Sequence, residues 1–178
     1  MTTYGLRSVQ DDDHEWLVDL HNDPSVLYNM THPQPITMEH HMAWWSKISH
    51  DHRQLRLIFT VDGQRVGFTK FYDIDRANQN CVLGADIHKS FRGRGLAKCM
   101  WSLMLDKCFD ELGLRRVSLT TAEYNTIGIK TYEGLGFQRE GLLTQSLWRS
   151  GKFHDQICMY MLDIHWRHRS SSAIGGRA

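Results

Sequence analysis

The chain has 178 residues, of which 41% are hydrophobic and 23% are charged, and its formal net charge is +1. This length and composition predict one domain with a buried core, and the small net charge gives no electrostatic footprint for nucleic acid. No apolar run approaches the roughly 20 residues of a membrane-spanning helix, and the first residues lack a signal-peptide pattern. We therefore expect a cytoplasmic protein that binds neither membrane nor nucleic acid.

The cysteines and histidines do not form a metal-binding pattern. The four cysteines are widely spaced, with no CxxC pair, which predicts free thiols in a reducing compartment. The eleven histidines are scattered and include no HExxH motif. We therefore expect no metal site.

The first half of the chain predicts one strand, two helices and a three-stranded meander. Thr37 is the predicted N-cap of the second helix, whose apolar stripe would contain Met38, Met42, Trp45 and Ile48. The sequence DGQ predicts a hairpin turn between the first two meander strands. In chain order the predicted elements are a strand at 4–9, helices at 11–23 and 36–51, and strands at 55–61, 65–74 and 78–88.

The second half of the chain predicts two more helices and the remaining strands. The predicted elements are helices at 95–113 and 124–137, a strand at 115–122, a strand that begins at Phe137, and a turn and strand within 147–162. This order indicates an α+β domain with αβα layers. We expect one domain over residues 1–166, and we expect residues 167–178, which lack an apolar pattern, to form a disordered tail.

A glycine-rich loop, "SFRGRGLAK", joins the third meander strand to the following helix. Gly93 and Gly95 allow a close backbone approach, and the helix N-terminus adds partial positive charge. Arg92, Arg94 and Lys98 would add charge-assisted contacts. The pattern is neither a Walker motif nor GxGxxG, so from spacing alone an anion-binding loop and a tight surface turn are equally acceptable.

The segment "RGRGLA" (92–97) resembles the (Q/R)xxGx(G/A) signature of the GCN5-related N-acetyltransferase (GNAT) superfamily. The segment 123–137 is similar to the family's Asn…Tyr-x-x-x-Gly-Phe stretch, and 151–162 resembles the closing turn and strand of its ribosomal-protein and spermidine branches. The resemblance covers residues 4–164. It implies a mixed, mostly antiparallel sheet with splayed fourth and fifth strands and about four helices, and an enzyme that uses acetyl-CoA.

The resemblance also implies roles for individual residues. The free N–H of Ile87 would polarise the thioester carbonyl, Asn125 would bind the pantetheine arm or the substrate, and Tyr132 would protonate the departing thiolate. Amides of the glycine-rich loop would bind the diphosphate of acetyl-CoA, namely those of Arg92, Gly93, Arg94, Gly95, Leu96 and Ala97.

One departure from the family pattern leaves the general base open. Relatives often carry a glutamate on the strand before the loop, where this chain has Val82. Asp86 and His88 would share a face with Val82 on an alternating strand, and His88 has the better unperturbed pKa for the task. A chain of water molecules is a third possibility.

The acceptor is expected to be a small-molecule amine that binds against the first two helices. Tyr28, Glu39 and Trp44 are the candidate substrate-binding residues, and an acidic, aromatic lining would suit a polyamine through charge pairing and cation–π contact. A nucleotide-linked amino sugar and a protein amino terminus are alternative acceptors. A non-catalytic acyl-CoA sensor is the rival of a different class, and self-association into a dimer or larger oligomer stays open.

Overall fold

A mixed sheet organises the protein, in a computed structural model that describes the backbone of residues 1–174 and the side chains of residues 1–168. The strands are β1 (Tyr4–Ser8), β2 (Leu55–Val61), β3 (Gln64–Asp75), β4 (Asn80–Ile87), β5 (Arg116–Ala122), β6 (Gln138–Arg149) and β7 (Lys152–Leu162). The helices are α1 (His14–Asn22), α2 (Pro24–Leu27), α3 (Met38–Ile48), α4 (Leu96–Asp106), α5 (Thr126–Leu135) and α6 (Asp163–Ile174). A π-helical segment, Lys107–Glu111, extends α4.

The sheet order is β1-β2-β3-β4-β5-β7-β6, and every neighbouring pair is antiparallel except β4 and β5. Apolar side chains project from both faces of this sheet. On β2, Ile58 packs with Leu17 of α1, whereas its neighbours Leu57 and Phe59 pack with Met104 of α4. Because successive strand residues point to opposite faces, helices cover the sheet on both sides. The predicted αβα layering and the mostly antiparallel sheet are confirmed.

Strands β4 and β5 separate soon after they meet. Their parallel register contains three pairs, from Asn80 with Arg116 to Val82 with Ser118. Beyond these pairs β5 bonds to β7, while β4 stays paired with β3 up to Ile87. The predicted splay of the fourth and fifth strands is therefore confirmed, and it opens a gap lined by unpaired strand edges.

The buried face of α3 differs from the predicted stripe. Thr37 caps the helix as expected, because its hydroxyl accepts from the His40 N–H at 3.2 Å. Met38 and Met42 are exposed, however, and His41 is the buried residue. The His41 Nε2 lies 2.9 Å from the His14 Nδ1 on α1. Since this partner satisfies the buried ring, the helix presents His41 to the core rather than the two methionines.

The described backbone contains two helices beyond the four expected. The short α2 forms because Asp23 accepts from the Ser25 N–H at 2.9 Å and Pro24 occupies the first turn. Residues 167–174, which were expected in a disordered tail, instead continue α6. Residues 175–178 of that expected tail lie outside the described residues. Trp166 anchors α6 by donating its indole N–H to Asp106 at 2.7 Å. No helix in the described part of the chain has the length and apolarity to cross a membrane.

Gly67 is required where β3 passes β4 beneath α4. A Cβ added there would lie 2.7 Å from the Asp86 carbonyl oxygen and 3.0 Å from the Met100 sulfur. We expect Gly67→Ala to lower the free energy of unfolding by about 1–3 kcal/mol, because the backbone of β4 must move. Chemical denaturation would measure this loss.

The matched control is Gly134→Ala, since Gly134 lies in α5 and an added Cβ meets nothing within 4 Å. Alanine should leave this helix unchanged or stabilise it by up to about 1 kcal/mol. Equal stability of the Gly67 variant and the wild-type protein would contradict the close approach of β3 and β4.

Candidate functional site

A cleft of about 710 Å³ lies between α1, α3 and the sheet. The near end is lined by α1, residues 29–32 and α3. The far end reaches β5 and α5, where Asn125 and Tyr132 contribute to the wall. The cleft therefore extends from the acceptor side predicted from the sequence to the gap between β4 and β5.

The glycine-rich loop presents a run of free backbone donors. The Arg92 N–H bonds to the Lys89 carbonyl, and the Lys98 N–H bonds to the Gly95 carbonyl, both at 3.3 Å. Between them, the five amides of residues 93–97 have no acceptor within the described residues. Gly93 and Gly95 have φ angles of +73° and +74°, which side chains disfavour. The loop thus fits an anion held by main-chain N–H groups.

The Arg92 side chain fixes the loop to the rest of the protein. Its Nε donates to the Ile87 carbonyl at 2.8 Å, and its Nη1 donates to the Ser25 hydroxyl. Asp23, which bonds to Ser25, lies 3.9 Å from Arg92 Nη2. Hydrogen bonding from Ser25 holds the pKa of Asp23 below its usual value. Arg92 therefore acts as a clamp, and its amide is not among the free donors, which differs from the sequence prediction.

The Ile87 N–H faces the gap between the splayed strands. The next residue, His88, donates its N–H to the Val66 carbonyl of the neighbouring strand end at 2.9 Å. Because donor direction alternates along an antiparallel ladder, the Ile87 N–H points away from β3. The register of β4 with β5 has already ended at Val82. This geometry supports the predicted donor for a carbonyl oxygen bound in the gap.

Tyr132 lies at the far end of the cleft, and its environment keeps the phenol protonated. Its ring packs edge-on against Trp101, with centroids 4.9 Å apart. Burial, and then the negative charge of Asp86, raise the pKa of Tyr132 well above its usual value. A phenol in this state can donate a proton at neutral pH and does not ionise in that range.

Asn125 caps α5 at the edge of the cleft. Its Oδ1 accepts from the Gly128 N–H at 3.2 Å, and its Nδ2 donates to the Thr121 hydroxyl at 3.0 Å. A Cβ at Gly128 would lie 2.4 Å from the Asn125 Nδ2, so the glycine makes room for this cap. The predicted contact of Asn125 with pantetheine or substrate stays a prediction, supported by its place in the lining.

The two candidate bases lie in different places. Asp86 lines the cleft, and its Oδ2 accepts from the Lys70 ammonium. Burial is the largest influence and lowers the pKa of Lys70, but the charge and hydrogen bond of Asp86, together with Tyr72, outweigh it and the pKa is raised. His88 stacks on Trp16 with ring centroids 6.0 Å apart, outside the cleft lining. The position expected to carry a glutamate, Val82, lines the cleft as an apolar residue.

The candidate acceptor-binding residues are not brought together. Trp44 lines the cleft. Glu39 is exposed on α3 and is absent from the lining. The Tyr28 ring packs on Tyr124, with centroids 4.9 Å apart, and it also lies outside the lining. Glu39 lies outside the cleft because the buried His41 determines which face of α3 turns inward.

Sequence reasoning missed four charged or polar residues on the acceptor side of the cleft, three on strands and one on α3. Arg56 of β2, Lys70 and Tyr72 of β3, and His41 of α3 all line the cleft. Burial, with the nearby His14, lowers the pKa of His41 to about 4, so its ring is neutral at pH 7. Alternation along β2 and β3 placed these strand residues on one face, but only the cross-strand register brings them together.

Comparisons with known proteins agree with this geometry. The model of the acetyltransferase (GNAT) domain family matches residues 4–138. The SPbeta prophage-derived N-acetyltransferase YokL of Bacillus subtilis (strain 168) is 29% identical over 157 residues, which cover 88% of each chain. The spermidine N(1)-acetyltransferase of Escherichia coli (strain K12) is 26% identical over 155 residues, covering 86% of this chain and 83% of that protein.

A solved structure has a similar fold. The crystal structure of the Vibrio cholerae spermidine N-acetyltransferase in complex with CoA and spermine superposes with a TM-score of 0.88, at 22% identity. It covers 92% of this chain and 98% of that chain. At this identity the likeness establishes the fold.

The loop amides generate a direct binding prediction. We expect Gly95→Asp to weaken acetyl-CoA binding by roughly 100-fold or more, because a carboxylate would face the bound diphosphate. Isothermal titration calorimetry would measure the loss.

Gly63→Asp is the matched control, since Gly63 in the β2–β3 turn also has a positive φ, +80°, and open space around it. It introduces the same charge at a position that also has a positive φ, in a turn outside the loop. Acetyl-CoA affinity that is the same in both variants would remove the anion-binding role of the loop.

Proposed function

This chain belongs to the acetyltransferase (GNAT) domain family and is an acetyl-CoA-dependent N-acetyltransferase, and we propose that it acetylates a primary amine of a small molecule. The observation that carries the proposal is the gap between β4 and β5. The loop with free amides follows the end of β4, and the protonated Tyr132 lines the cleft that reaches this gap. Acetyl-CoA supplies the activated thioester, and this chain supplies the contacts that hold and polarise it.

The loop amides of residues 93–97 would hold the diphosphate, assisted by the N-terminus of α4. The pantetheine would then follow the gap, where the unpaired edges of β4 and β5 offer backbone donors and acceptors. The Ile87 N–H would bind the thioester oxygen and stabilise the negative charge that develops there. Tyr132 would give its proton to the thiolate as the bond between carbon and sulfur breaks.

Asp86, a carboxylate in the cleft lining, would receive the proton of the acceptor ammonium, directly or through water. One oxygen is held by Lys70, and the other accepts no hydrogen bond within residues 1–168. His88 is less suitable, because its ring packs on Trp16 away from the cleft. The raised pKa of Tyr132 suits it to the role of the acid, while Asp86, held by Lys70, would be the base in the same cleft.

A polyamine is the acceptor that the relatives favour. The matched Escherichia coli and Vibrio cholerae proteins are spermidine acetyltransferases, and they align with most of this chain. Trp44, half exposed at the cleft wall, could contact an alkylammonium group through its ring. The cleft lining itself favours an acceptor of different charge, because Arg56 and Lys70 line it beside one carboxylate, Asp86.

Self-association is a further proposal, supported by exposed apolar residues on the β6–β7 hairpin. Leu142, Leu143, Trp148 and Phe153 are all between 46% and 57% exposed. The Trp148 and Phe153 rings pack edge-on at the end of the hairpin, with centroids 4.7 Å apart. The exposed Trp148–Phe153 pair is the part of the hairpin that would contact a second copy of the chain.

The Tyr132 hydroxyl is expected to be needed for catalysis. We expect Tyr132→Phe to lower kcat by roughly 10- to 10⁴-fold, because the thiolate loses its proton donor. Acetyl-CoA affinity and thermal stability should stay near those of the wild-type protein, since the ring keeps its packing on Trp101. An unchanged kcat would assign Tyr132 to packing alone.

The proposed reaction predicts both a substrate requirement and a product. CoA-thiol release from acetyl-CoA should require an added primary amine, and the product should be the N-acetylated amine by mass spectrometry. The panel would contain spermidine, spermine, amino acids, amino sugars with and without a nucleotide, and amino-terminal peptides. Acetyl-CoA binding without turnover of any amine would favour the sensor alternative.

A further inference from the structure

The acceptor side of the cleft carries more positive than negative charge. Among the residues that line the cleft, the cationic side chains are Arg56 and Lys70, and Asp86 is the single carboxylate. In the strand register, Arg56 of β2 lies opposite Lys70 of β3, and Lys70 lies opposite Gly84 of β4. Because Asp86 is already bonded to Lys70, the Arg56 charge is left without a carboxylate.

The Arg56 guanidinium is buried and held in place by neutral groups. Its residue is 7% exposed. Nη1 donates to the Phe71 carbonyl at 2.7 Å, and Nη2 donates to the Gln54 Oε1 at 2.7 Å. Its Nε has no hydrogen-bond partner within the described residues. No acid of the described chain lies within ion-pair distance of Arg56, although buried charges are normally paired.

Burial lowers the pKa of Arg56 and outweighs the opposing effects of Tyr72 and of the charge of Asp51, which lies beyond ion-pair distance and outside the cleft lining. The guanidinium lies over the Tyr72 ring, 4.3 Å from its centroid, and 6.0 Å from the centroid of Trp44. The two rings stabilise the cation, but they do not neutralise it. An anion in the cleft would supply the missing countercharge at a site that is already organised.

This arrangement differs from an acceptor site built for a polyamine. A polyamine needs carboxylates along its length, and the expected carboxylate, Glu39, lies outside the cleft lining. A second or third ammonium group would instead approach Arg56 and Lys70 in a partly buried space. Like charges in such a space repel more strongly than they do in water.

We propose that Arg56 forms a subsite for an anionic group of the acceptor, so that the substrate is a primary amine that also carries a carboxylate or a phosphate. This inference rests on the proposed acetyl transfer and narrows its acceptor. The amine would lie toward Asp86 and Tyr132, and the anionic group would lie toward Arg56 and the Trp44 ring. Amino acids and phosphorylated or nucleotide-linked amino sugars share this chemistry.

The test uses pairs of amines that differ by one anionic group. Lysine is compared with 1,5-diaminopentane, and glucosamine 6-phosphate with glucosamine, while spermidine is the polyamine reference. Each is titrated by calorimetry into the full-length protein saturated with CoA, so that the measurement does not depend on turnover. We expect the anionic member of at least one pair to bind about 10-fold or more tightly than its partner. The pair that shows the preference distinguishes a carboxylate from a phosphate.

Arg56→Gln should abolish this preference, while Arg53→Gln should retain it. Arg53 is the matched control because it is exposed and pairs with Asp73 at 3.3 Å, outside the cleft lining. If Arg56→Gln does not fold, the comparison of pairs in the wild-type protein still decides the proposal. Equal affinity within both pairs, or spermidine bound more tightly than every anionic amine, would overturn it. Acetyl transfer to spermidine in that case would leave the proposed function intact, whereas an anion preference without transfer to any amine would remove the proposed function.

Discussion

The separation of β4 from β5 after three residue pairs is the constraint on which the rest of the site depends. Neighbouring strands normally use each other's backbone groups, and unpaired groups buried in a core destabilise a fold. Here the separation leaves the Ile87 N–H directed into an open gap, next to a loop with five free amides. The same gap gives Tyr132 a buried position near Asp86, which keeps its hydroxyl protonated. In the proposed function, backbone geometry would therefore position the acyl donor, and side chains would be needed mainly for proton transfer and for the acceptor.

The acceptor side depends on a different balance, in which two cations and one carboxylate line the cleft and only one of the cations is paired. Lys70 and Asp86 neutralise each other, and Arg56 is stabilised by backbone carbonyls and by the faces of Tyr72 and Trp44. Relatives that act on spermidine have the same fold, but a fold does not determine which amine is bound. Specificity in such a cleft follows from a few buried charges. The proposed anionic subsite rests on the charge pattern of this chain, whereas a polyamine acceptor rests on its relatives.

Local patterns in the sequence were enough to predict the layered fold, whereas the splayed strands were predicted from the family resemblance. For the loop, two glycines between a strand end and a helix start were visible in the sequence, but spacing alone did not distinguish an anion-binding loop from a tight turn. The acceptor side was not predictable, because it depends on distant partners. His41 is turned inward by His14, which lies 27 residues earlier, and this rotates Glu39 away from the cleft. Arg56, Lys70 and Asp86 meet through strand register, which no single segment of the sequence specifies.

The central claim, that backbone amides of the loop and of β4 hold the acyl donor, can be tested one amide at a time. Hydrogen exchange followed by amide-resolved NMR, with and without acetyl-CoA, reports on each donor separately. We expect acetyl-CoA to slow exchange at residues 93–97 and at Ile87, while the β2–β3 turn at Gly63 exchanges at an unchanged rate. Tight binding of acetyl-CoA with no protection at these amides would show that the cofactor is held elsewhere and would contradict the account.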